Sequence, residues 1–127
     1  MTTRIAIGIG CRLGCPADTI EALIRQALDR LPAAGQPGLF TVEDKAGEPG
    51  LAEAARRLGF DLVPLPREAL RVQSDLVQTR SERAEQLFGV ASIAEAAALA
   101  GIGADAVLIL PRIANQGATC AVAAPRS

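Results

Sequence analysis

Two rhythms of apolar and polar positions run through this chain. Short continuous apolar runs read as buried strands, and stretches whose apolar residues return every three or four positions read as amphipathic helices. Residues 4–9, RIAIGI, form a run of strand length. A glycine-rich turn over 10–15 follows. Ile20, Leu23, Ile24, Ala27, Leu28 and Leu31 then share one helical face. They predict a helix over 16–31 with Pro16 at its first position, where a missing N–H costs nothing. After a loop over 32–38, LFTV at 39–42 is the second strand. Glu43-Asp44-Lys45 and a turn around Gly47 lead to a helix opening at Pro49. It carries Leu51, Ala54, Ala55 and Leu58 inward and stops at Gly59. Residues 60–65 form a third strand, which Pro64 assigns to a sheet edge.

The second half is less regular. Residues 66–70 suggest a helical turn, 71–80 a long irregular or partly helical connection, and 81–87 a short helix. Ser92 and Glu95 have capping-box spacing ahead of an alanine-rich helix that closes at Gly101. DAVLIL at 105–110 is the most apolar strand, and a turn over 111–117 leads to a fifth strand at 118–123. The short connection makes that last pair antiparallel. Strands alternating with helices predict an α/β protein: a three-layer α/β/α sandwich on an about five-stranded, mostly parallel sheet. Right-handed crossovers give the order 3-2-1-4-5 with the last strand antiparallel. The length suits one domain over 1–127.

Composition narrows the function. The formal net charge of −1 lacks the basic excess of a protein that tracks phosphate backbones, so nucleic acid is not the expected partner. The chain contains no histidine, which removes histidine triads, histidine bases and most zinc sites. Three Phe are the only aromatics, too few for base-stacking platforms. Three cysteines, Cys11, Cys15 and Cys120, are too few for a disulfide scaffold. No secretory leader or membrane-spanning run is legible, so a cytoplasmic protein with reduced thiols, no membrane partner, no metal and no cofactor is expected.

Candidate chemistry gathers where open α/β sheets bind ligands, beyond the carboxyl ends of the strands. Gly10, Cys11 and Arg12 follow the first strand, Lys45 (the sole lysine) follows the second, and Arg112 follows the fourth. With exposed backbone amides and helix N-termini, these cations make an anion site. The glycine spacing G-x-G-x-x-x-G matches neither the dinucleotide fingerprint nor a Walker loop, but a nucleotide-binding, flavodoxin-like module stays open as an alternative. Cys11 and Cys15 lie near a helix start that would lower a thiol pKa. As small buried residues of a tight turn they need no such role. Glu48, beside Lys45, and Glu95 are the carboxylates that could serve in acid–base chemistry. Each also has a bland reading, as a cap of the helix it precedes or opens.

Several segments, in order, resemble one family. GIGCRLG at 8–14 resembles a G-[IL]-G-C-R-x-G opening. Thr41, Lys45 and Glu48-Pro49-Gly50-Leu51 resemble T-x-x-x-K-x-x-E-x-x-L. Residues 92–99 resemble S-V-[AC]-E-A-A-A-L, and Thr119 to Ala123 resembles T-x-A-x-A. These motifs are similar to those of the CobE and CbiG C-terminal family of cobalamin biosynthesis proteins. In extent the chain resembles the stand-alone form, without the N-terminal part that CbiG carries. The resemblance implies a role in building the corrin ring, with a precorrin or related corrinoid as ligand and other corrin-pathway enzymes as further partners. It also implies a hydrolase alternative, because CbiG-type proteins open a precorrin lactone and release a two-carbon fragment. Such a macrocycle is fringed by carboxylates. The expected contacts are Gly10, Cys11, Arg12, Thr41, Lys45, Ser81, Arg112 and Thr119, and Arg80, Ser81 and Arg83 of the long 71–91 segment would close over it.

Overall fold

The structure is a computed structural model that describes residues 4–31, 37–89 and 91–126; most of the loop expected over 32–38 lies outside them. Its elements are β1 (Ile5–Cys11), α1 (Ala17–Asp29), β2 (Pro37–Val42), α2 (Pro49–Leu58), β3 (Leu62–Leu65), α3 (Arg67–Arg71), α4 (Glu82–Phe88), α5 (Ile93–Ile102), β4 (Ala106–Ala114) and β5 (Ala118–Pro125). Single 3₁₀ turns stand at Glu43–Lys45 and Ser74–Leu76. β1, β2 and β3 pair in parallel, and β5 runs antiparallel to both β1 and β4. β3 is an edge strand, as Pro64 requires.

The strand order is 3-2-1-5-4, so the last two strands exchange the places expected from the sequence. A hairpin satisfies its turn either way round, and side-chain size decides. The position beside β1 is pressed by helices on both faces. It goes to β5, where Ala118, Cys120, Ala121, Val122, Ala123 and Ala124 are all buried. The bulkier β4 takes the edge, where Ile109 stays exposed and Leu108 and Leu110 are half-buried.

β1 alternates in size rather than in polarity. Ile5, Ile7, Ile9 and Cys11 face one core with Cys120 and Val122, filled by Ile20, Leu23, Ile24 and Ala27 of α1 and Leu51, Ala54 and Ala55 of α2. Gly8 faces the other side, directly under α5. A Cβ there would lie inside the contact distance of the Ala94 carbonyl, so the helix rests on bare backbone. Ala94, Ala98 and Leu99 of α5 pack on Ala121 and Ala123. Ala96 and Ala97 cluster with Val42 and Phe40 of β2 and with Leu70 of α3, Val77, and Ala84 and Phe88 of α4. With layers on both sides, α5 is buried all round from Ile93 to Leu99.

β4 is interrupted by two register shifts, between Leu108 and Leu110 and between Leu110 and Ile113. Pro111, which has no N–H for the ladder, lies in the second. The shift releases the Arg112 N–H from β5, with a consequence for the site. No single described helix is long and apolar enough to cross a membrane.

Candidate functional site

A cavity of about 370 Å³ opens at the carboxyl rim of the sheet. Its floor is the end of β1 (Gly10, Cys11), the start of β5 (Ala118, Thr119) and the start of α5 (Ser92, Ile93). The glycine turn contributes Arg12 and Leu13, and Lys45 comes from the turn after β2. The end of β4 and the loop beyond it add Arg112, Ala114, Asn115 and Gly117. One side of α4, with Ser81, Arg83, Ala84, Leu87 and Phe88, makes the remaining wall.

The backbone at the rim is tied down tightly. The Arg12 N–H donates to the Gly117 carbonyl at 2.9 Å, joining the two loops across the β1/β5 boundary. Gly14 adopts φ 76°, which closes the turn ahead of α1. The side-chain oxygen of Asn115 accepts from the Gly117 and Ala118 N–H groups at 3.4 and 3.1 Å. Its amide donates to the Thr19 carbonyl at 2.9 Å, binding the hairpin turn to α1. Ser81 caps α4, its Oγ accepting from Ala84 N–H at 3.2 Å.

Seven of the eight expected contact residues line this one cavity: Gly10, Cys11, Arg12, Lys45, Ser81, Arg112 and Thr119. Thr41 does not. It is buried in β2, and its hydroxyl donates to the Ile9 carbonyl at 2.8 Å, so it secures the end of β1 from below. Arg80 pairs with Glu85 at 2.7 Å and also lies outside the lining, while Arg83 lies within it. Leu13, Leu87, Phe88 and Asn115 were missed by sequence reasoning. The N-x-G turn signal at 115–117 flags Asn115 as a loop former, but nothing local shows that Leu13 is 87% exposed at a cavity mouth.

The expected acids lie behind this surface, not on it. Glu48 is buried, and its Oε1 accepts from the Gly14 N–H at 2.7 Å instead of capping α2. Glu95 is fully buried. Its Oε1 accepts from Gln78 and Thr79 N–H at 2.7 and 2.9 Å, and its Oε2 from the Thr79 hydroxyl and Arg112 N–H at 2.8 and 2.9 Å. Those four bonds occupy the lone-pair sites of a carboxylate. Only the serine half of the capping box therefore forms, with Ser92 Oγ accepting from Glu95 N–H at 3.2 Å. Burial alone would raise the Glu95 pKa. The Arg112 and Thr79 amides, the Thr79 hydroxyl and the Gln78 amide outweigh it and hold the carboxyl below its ordinary value.

The thiols follow the blander of their two readings, as small buried residues. Burial, together with the nearby Glu48 carboxylate, raises the pKa of both turn cysteines despite the neighbouring helix start. Cys11 is pushed up to about 11, with Lys45 offsetting part of the effect, and Cys15 is raised as well. Burial pushes Cys120 up to about 12. All three pack as small apolar residues in the core under α1 and α2.

The charge pattern of the cavity is one-sided. Arg12, Lys45, Arg83 and Arg112 line it, and among the described residues no carboxylate does. Among the described residues none of the four forms an ion pair, whereas six of the nine arginines outside the cavity do, Arg4, Arg30 and Arg126 being the others without one. Fold and cavity together define an open-sheet α/β protein with a cationic cleft at its carboxyl rim. The profile of the cobalamin synthesis G C-terminus family matches residues 5–123. Protein CobE of Sinorhizobium sp is 32% identical over 123 residues, covering 95% of this chain and 80% of that protein. A crystal structure of CobE, a protein from the cobalamin biosynthetic pathway, superposes with a TM-score of 0.90 at 29% identity, over 99% of this chain and 93% of that one. The cobalt-precorrin-5A hydrolase of Priestia megaterium is 31% identical over 110 residues, 85% of this chain but only 29% of that enzyme. The chain belongs to the cobalamin synthesis G C-terminus family and is a cobalamin biosynthesis protein of the CobE and CbiG C-terminal type.

Proposed function

We propose that the protein binds a precorrin-type tetrapyrrole by its carboxylate side chains and holds or passes it on within the corrin pathway. The observation that carries this reading is the set of four cations around one open cavity, without carboxylate partners among the described residues. A corrin precursor carries acetates and propionates around a flat apolar ring. Arg12, Lys45, Arg83 and Arg112 are suited to those side chains, and each charge-assisted hydrogen bond contributes about 1.5–3 kcal/mol where water is excluded. Gly10, Cys11, Ser81 and Thr119 supply the polar and backbone surface between them. Leu13 and Leu87, 87% and 52% exposed, give the ring an apolar surface at the mouth. At about 370 Å³ the cavity is near the lower end of the ~300–1,000 Å³ usual for ligand sites. It suits one fringe of a macrocycle, with the rest of the ring lying over the rim.

A hydrolase reading is favoured by the likeness to cobalt-precorrin-5A hydrolase. It needs a base at the ligand, and the cavity wall carries neither histidine nor a carboxylate among the described residues. Binding without hydrolysis is therefore the reading adopted.

Absorbance titration with a precorrin fraction tests both. Tight binding that falls about tenfold or more in each of Arg12→Ala, Lys45→Ala and Arg112→Ala is expected, with no acetaldehyde released. Unchanged affinity in all three variants would remove the site. Acetaldehyde formed in proportion to enzyme would replace the carrier reading with the hydrolase.

A further inference from the structure

Two buried carboxylates flank a cavity that wants anions, and neither faces it. A buried charge costs several kcal/mol unless its oxygens are satisfied, so its partners indicate its use. Glu48 reaches from the start of α2 to the N–H of Gly14, in the turn that carries Arg12 and Leu13. Glu95 reaches from the first turn of α5 to three backbone N–H groups in two separated stretches, 78–79 and 112, and to one hydroxyl. One of these is Arg112 N–H, freed by the β4 irregularity at Pro111. Gln78 and Thr79 lead directly into Ser81 and α4, where Arg83 stands. Each carboxylate thus holds the backbone of a different cation-bearing wall.

We propose that Glu48 and Glu95 are positioning residues: Glu48 sets the Arg12 wall, and Glu95 sets the Arg112 and Arg83 walls, so that the cations stand ready at a fixed spacing in the empty cavity. The proposal rests on the ligand-binding reading above and extends it to residues that never touch the ligand. A carboxylate suits the task for two reasons. It accepts at four sites and donates at none, which matches the donors that converge on Glu95; glutamine would turn half of its head group into donors facing other donors. Its negative charge, set behind the lining, also offsets part of the repulsion among four uncompensated cations. Lys45 and Glu48 already act with opposite sign on the Cys11 thiol between the glycine turn and the cavity. Preorganised cations bind more tightly because less ordering is left to the binding step.

The test is a crossed set of double variants, read by titration with uroporphyrin, a tetrapyrrole fringed with acetates and propionates. Glu95→Gln is expected to weaken binding about tenfold, and Glu48→Gln somewhat less. In combination, Glu95→Gln with Arg112→Ala should fall well short of the product of the two single effects, whereas Glu95→Gln with Arg12→Ala should reach it. Glu48→Gln should show the reverse pattern, coupled to Arg12 and independent of Arg112. A general loss of stability would not sort itself in this way. Products reached in all four combinations, or an equal shortfall in all four, would overturn the proposal. Should Glu95→Gln fail to fold, Thr79→Val removes one donor from the same carboxylate, and the same coupling to Arg112→Ala is required. If the unsubstituted protein takes up no uroporphyrin, the binding reading falls, and amide hydrogen exchange still judges the two glutamates. Faster exchange confined to Gly14 in one variant and to Gln78, Thr79 and Arg112 in the other supports the assignment; acceleration spread evenly over the sheet refutes it.

Discussion

The two faces of the central sheet are built on opposite rules. Under α1 and α2, β1 presents Ile5, Ile7 and Ile9, and the layer between sheet and helices is filled by branched side chains. Under α5 it presents Gly8 and Gly10, and β5 presents Ala121 and Ala123, so helix and sheet meet almost backbone to backbone. The first face gains stability from apolar volume, at about 25 cal/mol per Å² removed from water. The second gives up volume for closeness. That closeness sets the start of α5 at the cavity floor and brings Glu95 within reach of β4 and the 78–79 backbone. The bulky face holds the fold together, and the thin face sets the geometry of the site.

Neighbouring residues of β1 break this comparison from either side. Gly8→Ala should have the largest effect. Its methyl group meets the backbone of α5, which no rotamer change can relieve, so the loss should exceed the ~1–3 kcal/mol usual for overpacking. The check is the fraction of folded protein by circular dichroism and its urea midpoint. Ile7→Ala, one residue away, removes volume instead and should cost about 2–5 kcal/mol, while Ile7→Val should cost only about 0.5–1.5 kcal/mol. Parallel denaturation curves with an unchanged slope would confirm that the fold survives. Equal losses in Gly8→Ala and Ile7→Val, each a change of one methyl group, would contradict the distinction between the faces.

Glu95→Gln sharpens it next, at about 1–3 kcal/mol for the donors left without a full set of acceptors. Its pH dependence has a definite sign. The folded-state pKa lies below the ordinary value of 4.5, so the carboxylate's contribution is complete above that value and is lost as pH falls through the depressed one. The stability gap between the unsubstituted protein and Glu95→Gln should therefore hold steady above the ordinary value of 4.5 and narrow as pH falls below it. A gap that stays constant over that range would show that the ionised form is not what the structure uses. Leu13→Ala should have the smallest effect on folding, within about 0.5 kcal/mol, because the side chain is 87% exposed. Loss of pigment binding in that variant without loss of stability would separate the mouth of the cavity from the core beneath it.

The helices over 16–31 and from Pro49 to Gly59 were legible because their apolar periodicity and end signals agree with the way they pack. The strand pairing 3-2-1 and the edge position of Pro64 followed from crossover handedness and a missing donor. The cations at strand ends were legible because topology alone carries Arg12, Lys45 and Arg112 to one rim. Glu48 and Glu95 were not readable in their observed roles. Their local spacing suggests helix caps, while their partners lie 34 and up to 17 positions away. Thr41 was misplaced for a related reason: strand alternation does not say which side a buried hydroxyl turns to when a carbonyl on the neighbouring strand needs a donor.

Periodicity, end signals and the position of each charge relative to its strand belong to the sequence itself, because they depend on neighbours a few residues apart. They were enough to predict an α/β protein with cations gathered at one rim of its sheet. The placement of β5 inside β4, the burial of two carboxylates and the release of the Arg112 amide belong to the tertiary structure. Each depends on which side chains fit between layers once the chain has closed, and a competition for space among distant residues leaves no local mark on the chain.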